Sequence, residues 1–252
     1  MMDQSHQLSG LRILVTRPQP QADKLTHFLR KQGAEVSVLP MLEIIPKPAG
    51  KLPHPVNIAE YDKVVVVSTS AAELLFRQSP VATETAQWFT PGRSTVRVLA
   101  DFAVEAICPE AVFTSEAMLA MPELQSVADQ HILLVKGEGG RDILEQTLSE
   151  RGAKVRPLVL YQRVCPEYPN GQLDQTLEEQ KINAIVATSG QIVANLLTCA
   201  SDRRLLLDIP ILVPSQRVAE MASEVGFTRT VIATGAGDAD IAVALRQLAY
   251  PG

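Results

Sequence analysis

The residue types that build metal and covalent centres are scattered in this chain, so its chemistry has to come from hydroxyls, glycines and cations placed where apolar runs end. Cys108, Cys165 and Cys199 are far apart, odd in number and in no Cys-x-x-Cys spacing. That argues against a disulfide framework and a zinc site, and leaves them as buried or incidental thiols. His6, His27, His54 and His131 are equally dispersed, and no metal is expected. There is no Gly-x-Ser-x-Gly elbow and no Cys and His pairing, and Ser70 and Ser189 lack an evident base, so a covalent nucleophile is not expected.

The sharpest local motif is Gly137-Glu138-Gly139-Gly140-Arg141, which follows the apolar run ILLV and precedes Ile143, Leu144 and Leu148 at helical spacing. Bare backbone N–H groups at the start of a helix hold anions, and Lys136 and Arg141 flank this turn with positive charge. A plain tight turn accounts for the glycines equally well. Neither nucleotide fingerprint fits: Asp142 stands where the dinucleotide pattern wants a third glycine, and no Gly-Lys-Ser/Thr precedes the helix. Ser68-Thr69-Ser70 and Thr188-Ser189-Gly190 also stand between a strand pattern and a helix pattern, with Thr69-Ser70 and Thr188-Ser189 just ahead of the helices. Such hydroxyls cap helices, and the same geometry suits a carboxylate; the two roles are compatible. Thr16-Arg17-Pro18 and Pro214-Ser215-Gln216-Arg217 complete the set of strand-end turns, while Glu178-Glu179 reads as solvated surface and Trp88 and Tyr61 as packing residues.

The elements that carry these turns alternate. Leu11 to Thr16 reads as a strand; Ala22, Leu25, Phe28 and Leu29 fall on one helix face; Gly33 stops that helix; and Ala34 to Leu39 starts another strand. The pattern then repeats. "LRKQGAEVSVLPMLEI" matches "LSERGAKVRPLVLYQR", with Gly33 and Gly152 separated by 119 positions (152 less 33). "VVVVSTSAAELL" matches "AIVATSGQIVANLL" at the same offset, and a weaker pair sets "VLADFAVEAI" against "VPSQRVAEMA". The chain therefore reads as a duplicated half. Short β-branched strands alternating with helices predict an α/β fold of two three-layer lobes with parallel sheets, whose ligands lie beyond the carboxyl ends of the strands.

With 252 residues the chain exceeds what one core usually organises, which agrees with two lobes. Its 46% apolar and 20% charged residues are those of a globular protein, and a net charge of −5 gives no field for nucleic acid. Met1 to Gly10 lacks the basic start and apolar run of a secretion signal and no apolar stretch approaches a membrane span, so no membrane contact and a cytoplasmic location are expected.

Taken together, Thr16-Arg17-Pro18, "GEGGRDIL" after "ILLV", "LYQRV" at 160–164 and "LVPSQRVAEMASEVGF" resemble the uroporphyrinogen-III synthase family over nearly the whole chain. The resemblance implies a monomeric, cofactor-free enzyme of tetrapyrrole and heme biosynthesis, which cyclises hydroxymethylbilane with loss of water and inversion of the last pyrrole ring. A transient contact with the enzyme that makes this substrate is a further expectation. The family architecture implies one discontinuous domain, 1–41 with 165–252, a second at 47–157, and a two-stranded linker of 42–46 and 158–164 beside the substrate cleft. It also implies that Tyr161 assists departure of the substrate hydroxyl, that Ser70, Ser189 and Ser215 contact substrate, and that Ala100 and Asp101 are doubtful counterparts of a usual small-residue turn. Thr16, Arg17, Thr69, Lys136, Gly137, Gly140, Arg141, Thr188, Gly190 and Gln216 complete the expected binding set. Two rival readings are a cytoplasmic bilobal binding or sensor protein without catalysis, and a nucleotide-dependent transferase using the turn at 137–141.

Overall fold

The computed structural model describes residues 7–19, 21–47, 57–78, 85–139 and 142–249. In chain order its elements begin β1 (Arg12–Val15), α1 (Gln21–Arg30), β2 (Glu35–Val38), β3 (Glu43–Pro46), β4 (Lys63–Val66), α2 (Thr69–Gln78), β5 (Gln87–Phe89) and α3 (Arg93–Ala100). They continue with β6 (Ala106–Ile107), α4 (Ser115–Leu119), β7 (His131–Gly137), α5 (Ile143–Glu150), β8 (Lys154–Val164), α6 (Gln172–Glu179), β9 (Ala184–Val186) and α7 (Gly190–Cys199). The last are α8 (Arg203–Asp208), β10 (Ile211–Val213), α9 (Gln216–Glu224), β11 (Thr230–Ile232) and α10 (Asp238–Ala249).

The chain divides into two compact units, Met1–Glu43 with Val164–Gly252, and Ile44–Arg163. The first holds a sheet of order β11-β10-β9-β1-β2, the second one of order β3-β8-β7-β4-β5-β6. The β1–β2, β1–β9, β9–β10 and β10–β11 pairs are parallel, as are β7–β8, β4–β7, β4–β5 and β5–β6. Written from β2, the first sheet runs β2-β1-β9-β10-β11 and corresponds strand for strand to β8-β7-β4-β5-β6 in the second. The offset of 119 residues carries β1 onto β7, β2 onto β8 and β4 onto β9, so each sheet takes its first two strands from one half of the repeat and the rest from the other.

Both faces of each sheet are covered, which is why the strands read as continuous apolar runs. Consecutive residues point to opposite faces. In the first unit Leu14 and Ile185 pack with Leu173, Ile192 and Val218 of α6, α7 and α9, whereas Ile13 and Val186 pack with Leu25 of α1 and Ile241 of α10. In the second, Val64 and Val66 face Leu75 and Leu99 of α2 and α3, and Val65 faces Leu144 and Leu148 of α5. Gly33 and Gly152 end α1 and α5 at φ values of 90° and 87°, the left-handed backbone that favours glycine at a helix end.

One expectation changes here. The weakest repeat pair was out of register: residues 98–107 are the end of α3 through β6, not a strand-end turn. The counterpart of β10 and α9 is β5 and α3, joined by Thr90-Pro91-Gly92, so Ala100 and Asp101 are the last turn and the C-cap of a helix. The residues expected as a two-stranded linker, 42–46 and 158–164, fall in neighbouring strands: β8 runs from Lys154 to Val164, with β3 beside it.

Candidate active site

In the second unit three polar groups meet at the carboxyl ends of β4, β7 and β8. The Ser68 Oγ lies 2.9 Å from the Tyr161 hydroxyl, and Arg163 Nη2 donates to that hydroxyl at 3.0 Å, its guanidinium standing 5.4 Å from the ring centre. Tyr161 is only 1% exposed.

A slip in the β7–β8 ladder puts the ring there. Lys136 pairs with Val159, but Gly137 pairs with Tyr161, and Glu138 N–H donates to the Tyr161 carbonyl at 2.7 Å. Strict alternation would send Tyr161 to the face opposite Leu158 and Leu160. The extra residue turns it back, so that Leu158, Leu160 and Tyr161 all enter one core; bulges re-aim side chains in this way. Gly137 provides the floor. A Cβ there would come within 2.5 Å of the Tyr161 ring, so the glycine is required by close approach and not by its backbone angles.

Ser68 caps α2. Its Oγ accepts from Ala71 N–H at 3.1 Å, one residue before the expected capping pair, and Thr69 and Ser70 are the first two helical residues. Lys136 is engaged inside its own turn, with Asp142 at 2.8 Å and Glu145 at 3.7 Å, while Glu138 pairs with Lys47 at 3.2 Å. Gly140 and Arg141 lie outside the described residues.

The strand ends of the first unit are bonded internally. The fully buried Thr16 donates through Oγ1 to the Val186 carbonyl at 2.6 Å, crossing from β1 to β9. Arg17 donates to Asp238 Oδ1 at 2.7 Å and to the Ala236 carbonyl, so its charge straps the turn between β11 and α10. Burial lowers the Arg17 pKa, and the hydrogen bond and charge of Asp238 oppose that. Ser189 accepts from Ile192 N–H at 3.3 Å as the cap of α7, beside the half-buried Thr188; Gly190 is buried against the Met221 side chain. Ser215 occupies the cap position of α9 without a side-chain cap bond, and Gln216 turns to Glu220 at 3.1 Å.

The family model of uroporphyrinogen-III synthase HemD matches residues 23–242. The chain belongs to the uroporphyrinogen-III synthase family. Membership makes it an enzyme, a lyase that closes a ring. The uroporphyrinogen-III synthase of Escherichia coli is 30% identical over 238 residues, spanning 89% of this chain and 95% of that one. That of Synechococcus elongatus is 32% identical over 202 residues, 75% and 74% of the two chains. Among solved structures, a mutant uroporphyrinogen III synthase of Thermus thermophilus shares the fold with a TM-score of 0.66 at 18% identity, covering 95% of this chain and 99% of that one. The Helicobacter pylori uroporphyrinogen-III synthetase does so at 0.62 and 14%, covering 95% and 98%.

Sequence reasoning missed several groups in this uroporphyrinogen-III synthase family member. Ser68 was read only as part of the strand-end turn Ser68-Thr69-Ser70 and Arg163 only within "LYQRV"; the bulge brings both to Tyr161. The turns Thr90-Pro91-Gly92 and Thr234-Gly235-Ala236-Gly237 were overlooked, although glycine after a short apolar run was their signal. Thr90 is fully buried, and its hydroxyl has no hydrogen-bond partner among the described residues. Among the described residues no group of three or more His, Cys, Asp or Glu is placed to hold a metal. The thiols are not all isolated: Cys165 and Cys199 Sγ are 3.6 Å apart, because the chain after β8 returns to the end of α7.

Proposed function

We infer that this chain cyclises hydroxymethylbilane to uroporphyrinogen III, with inversion of the last ring and loss of water, and that Tyr161 is the proton source for the departing hydroxyl. The observation that carries the assignment of Tyr161 is its sealed phenol, held by Ser68 and Arg163 at the carboxyl ends of β4, β7 and β8. The reaction asks little covalent help. The hydroxymethyl group sits on an electron-rich pyrrole, so loss of water gives a stabilised cation, and dehydration with carbon–carbon bond formation changes no oxidation level overall. Unassisted closure joins the nearest ends and gives the symmetric isomer. The enzyme's task is to hold the chain so that attack occurs at the substituted carbon, a task of orientation.

Arg17 and Lys136 already have carboxylate partners, so the substrate's carboxylates fall chiefly to backbone N–H groups and hydroxyls at the starts of α2, α7 and α9, with Arg141 as a further cation. Thr69, Ser70, Thr188, Ser189 and Ser215 belong to those starts. The same reading has the enzyme working as a monomer in the cytoplasm. No helix among the described residues is long and apolar enough to cross a membrane. Incubation with freshly made hydroxymethylbilane, followed by chromatography of the product isomers, tests the assignment. The type III isomer should dominate; a mixture equal to that of the uncatalysed reaction would leave a binding protein without catalysis.

A further inference from the structure

The phenol that the ring closure needs is almost wholly enclosed, whereas the hydroxyl beside it is half-buried and more open. We propose that Ser68 is the hydroxyl that touches the leaving group, with Tyr161 as the proton source behind it and Arg163 as the positioning residue that points the phenolic proton at Ser68. This rests on the reading of Tyr161 as the acid of the ring closure.

Counting protons fixes the direction. Arg163 can only donate, so its 3.0 Å bond occupies a lone pair of the Tyr161 oxygen. The phenolic proton then needs an acceptor, because a buried donor without one is costly. Among the described residues Ser68 Oγ, at 2.9 Å, is the acceptor within reach. Ser68 Oγ already accepts from Ala71 N–H at 3.1 Å, so the Tyr161 proton fills its second lone pair. Ser68's own proton is left uncommitted, on the more exposed of the two oxygens. The order is guanidinium to phenol to serine, with each bond polarising the next in the same sense.

The step balances. The Ser68 proton passes to the departing hydroxyl oxygen as the carbon–oxygen bond breaks and water leaves. Ser68 takes the Tyr161 proton, and the phenolate is held beside the Arg163 cation. The proton is restored when the pyrrole carbon that closes the ring loses its hydrogen. Ser68 is fixed for this as the cap of α2, and the positive end of that ten-residue helix favours charge developing on the serine oxygen.

Single and paired substitutions test the chain. Ser68→Gly removes the hydroxyl while glycine still serves as a cap, so the fold should be retained, as circular dichroism and a melting curve would verify. Ser68→Gly and Tyr161→Phe should each lower kcat about a hundredfold with KM within about threefold, the range for loss of a proton donor. The double variant should be no slower than the worse single one, because groups acting as a unit are non-additive. Arg163→Gln should lower kcat in the parent and leave it unchanged in the Tyr161→Phe background, with Arg163→Lys restoring part of the rate. If Tyr161→Phe is slow and Ser68→Gly is not, or if their losses multiply, the relay is wrong and the reading of Tyr161 stands. If Tyr161→Phe keeps the parental rate, that reading fails, and the relay with it.

Discussion

The carboxyl ends of the two sheets share a strand order but differ in how they spend an arginine. In the first unit Arg17 is matched by Asp238 and by the Ala236 carbonyl, and Thr16 is bonded across to β9, so the charge is neutralised and the turn closed. In the second, Arg163 makes no ion pair among the described residues. Its guanidinium lies against a phenol, which in turn meets a serine. A buried cation with a carboxylate contributes to holding a loop. A cation on a neutral hydroxyl leaves a polarised proton, the kind of feature a reaction uses. Duplication supplied the frame twice, but the two arginines stand on different strands of it: Arg17 follows β1, and Arg163 lies near the end of β8, the counterpart of β2.

That difference can be broken from either side. The largest effect should come from Gly137→Ala, because the new Cβ would displace the Tyr161 ring from Ser68. Misplacing a reacting group by about 1 Å costs on the order of a hundredfold in rate, and overpacking about 1–3 kcal/mol in stability. Parallel kinetics and denaturant unfolding would show both losses; a variant with parental kcat would mean that the ring position is immaterial. Asp238→Asn should do the opposite. It strands the buried Arg17 charge and should cost about 1–3 kcal/mol in unfolding, less than a fully buried pair because Asp238 is 34% exposed. Its kcat per folded molecule should stay within about threefold, and a larger loss of kcat would place Arg17 in the chemistry. The smallest effect concerns Cys199, whose thiol is pushed up to about 11 by burial and by its bond to Cys165. Iodoacetamide attacks thiolates, so labelling of Cys199 at pH 8 should be slow and should rise about tenfold per pH unit toward that value. Rapid labelling at pH 7, read by peptide mass spectrometry, would contradict the packing around the pair.

The layers and the parallel sheets were legible because strands buried on both faces must be apolar throughout, as Val64-Val65-Val66 and Ile13-Leu14-Val15 are. Gly33 and Gly152 were legible as helix stops for their backbone angle. The site was legible only in pieces. Tyr161 was named through resemblance, but its partners depend on a bulge in β8, and a two-residue period cannot reveal where a ladder slips. Thr69-Ser70 drew attention as a cap while Ser68, one residue earlier, makes the cap bond; helix starts are uncertain by that margin when three hydroxyls adjoin. Arg17 and Lys136 read as free cations because Asp238, 221 positions away, and Glu145 are brought to them only by the fold. The same holds for Cys165 and Cys199.

The central claim, that the strand ends of the second unit carry the ring closure through Tyr161, is tested most directly by the isomer ratio made by Tyr161→Phe. The change removes one hydroxyl and keeps the ring that packs on Gly137, so the variant should fold. Slower enzymatic closure lets the spontaneous reaction compete, and the products from hydroxymethylbilane should shift from the type III toward the type I isomer as the rate falls about a hundredfold or more. A folded variant with the parent's turnover and the parent's isomer ratio would contradict the account.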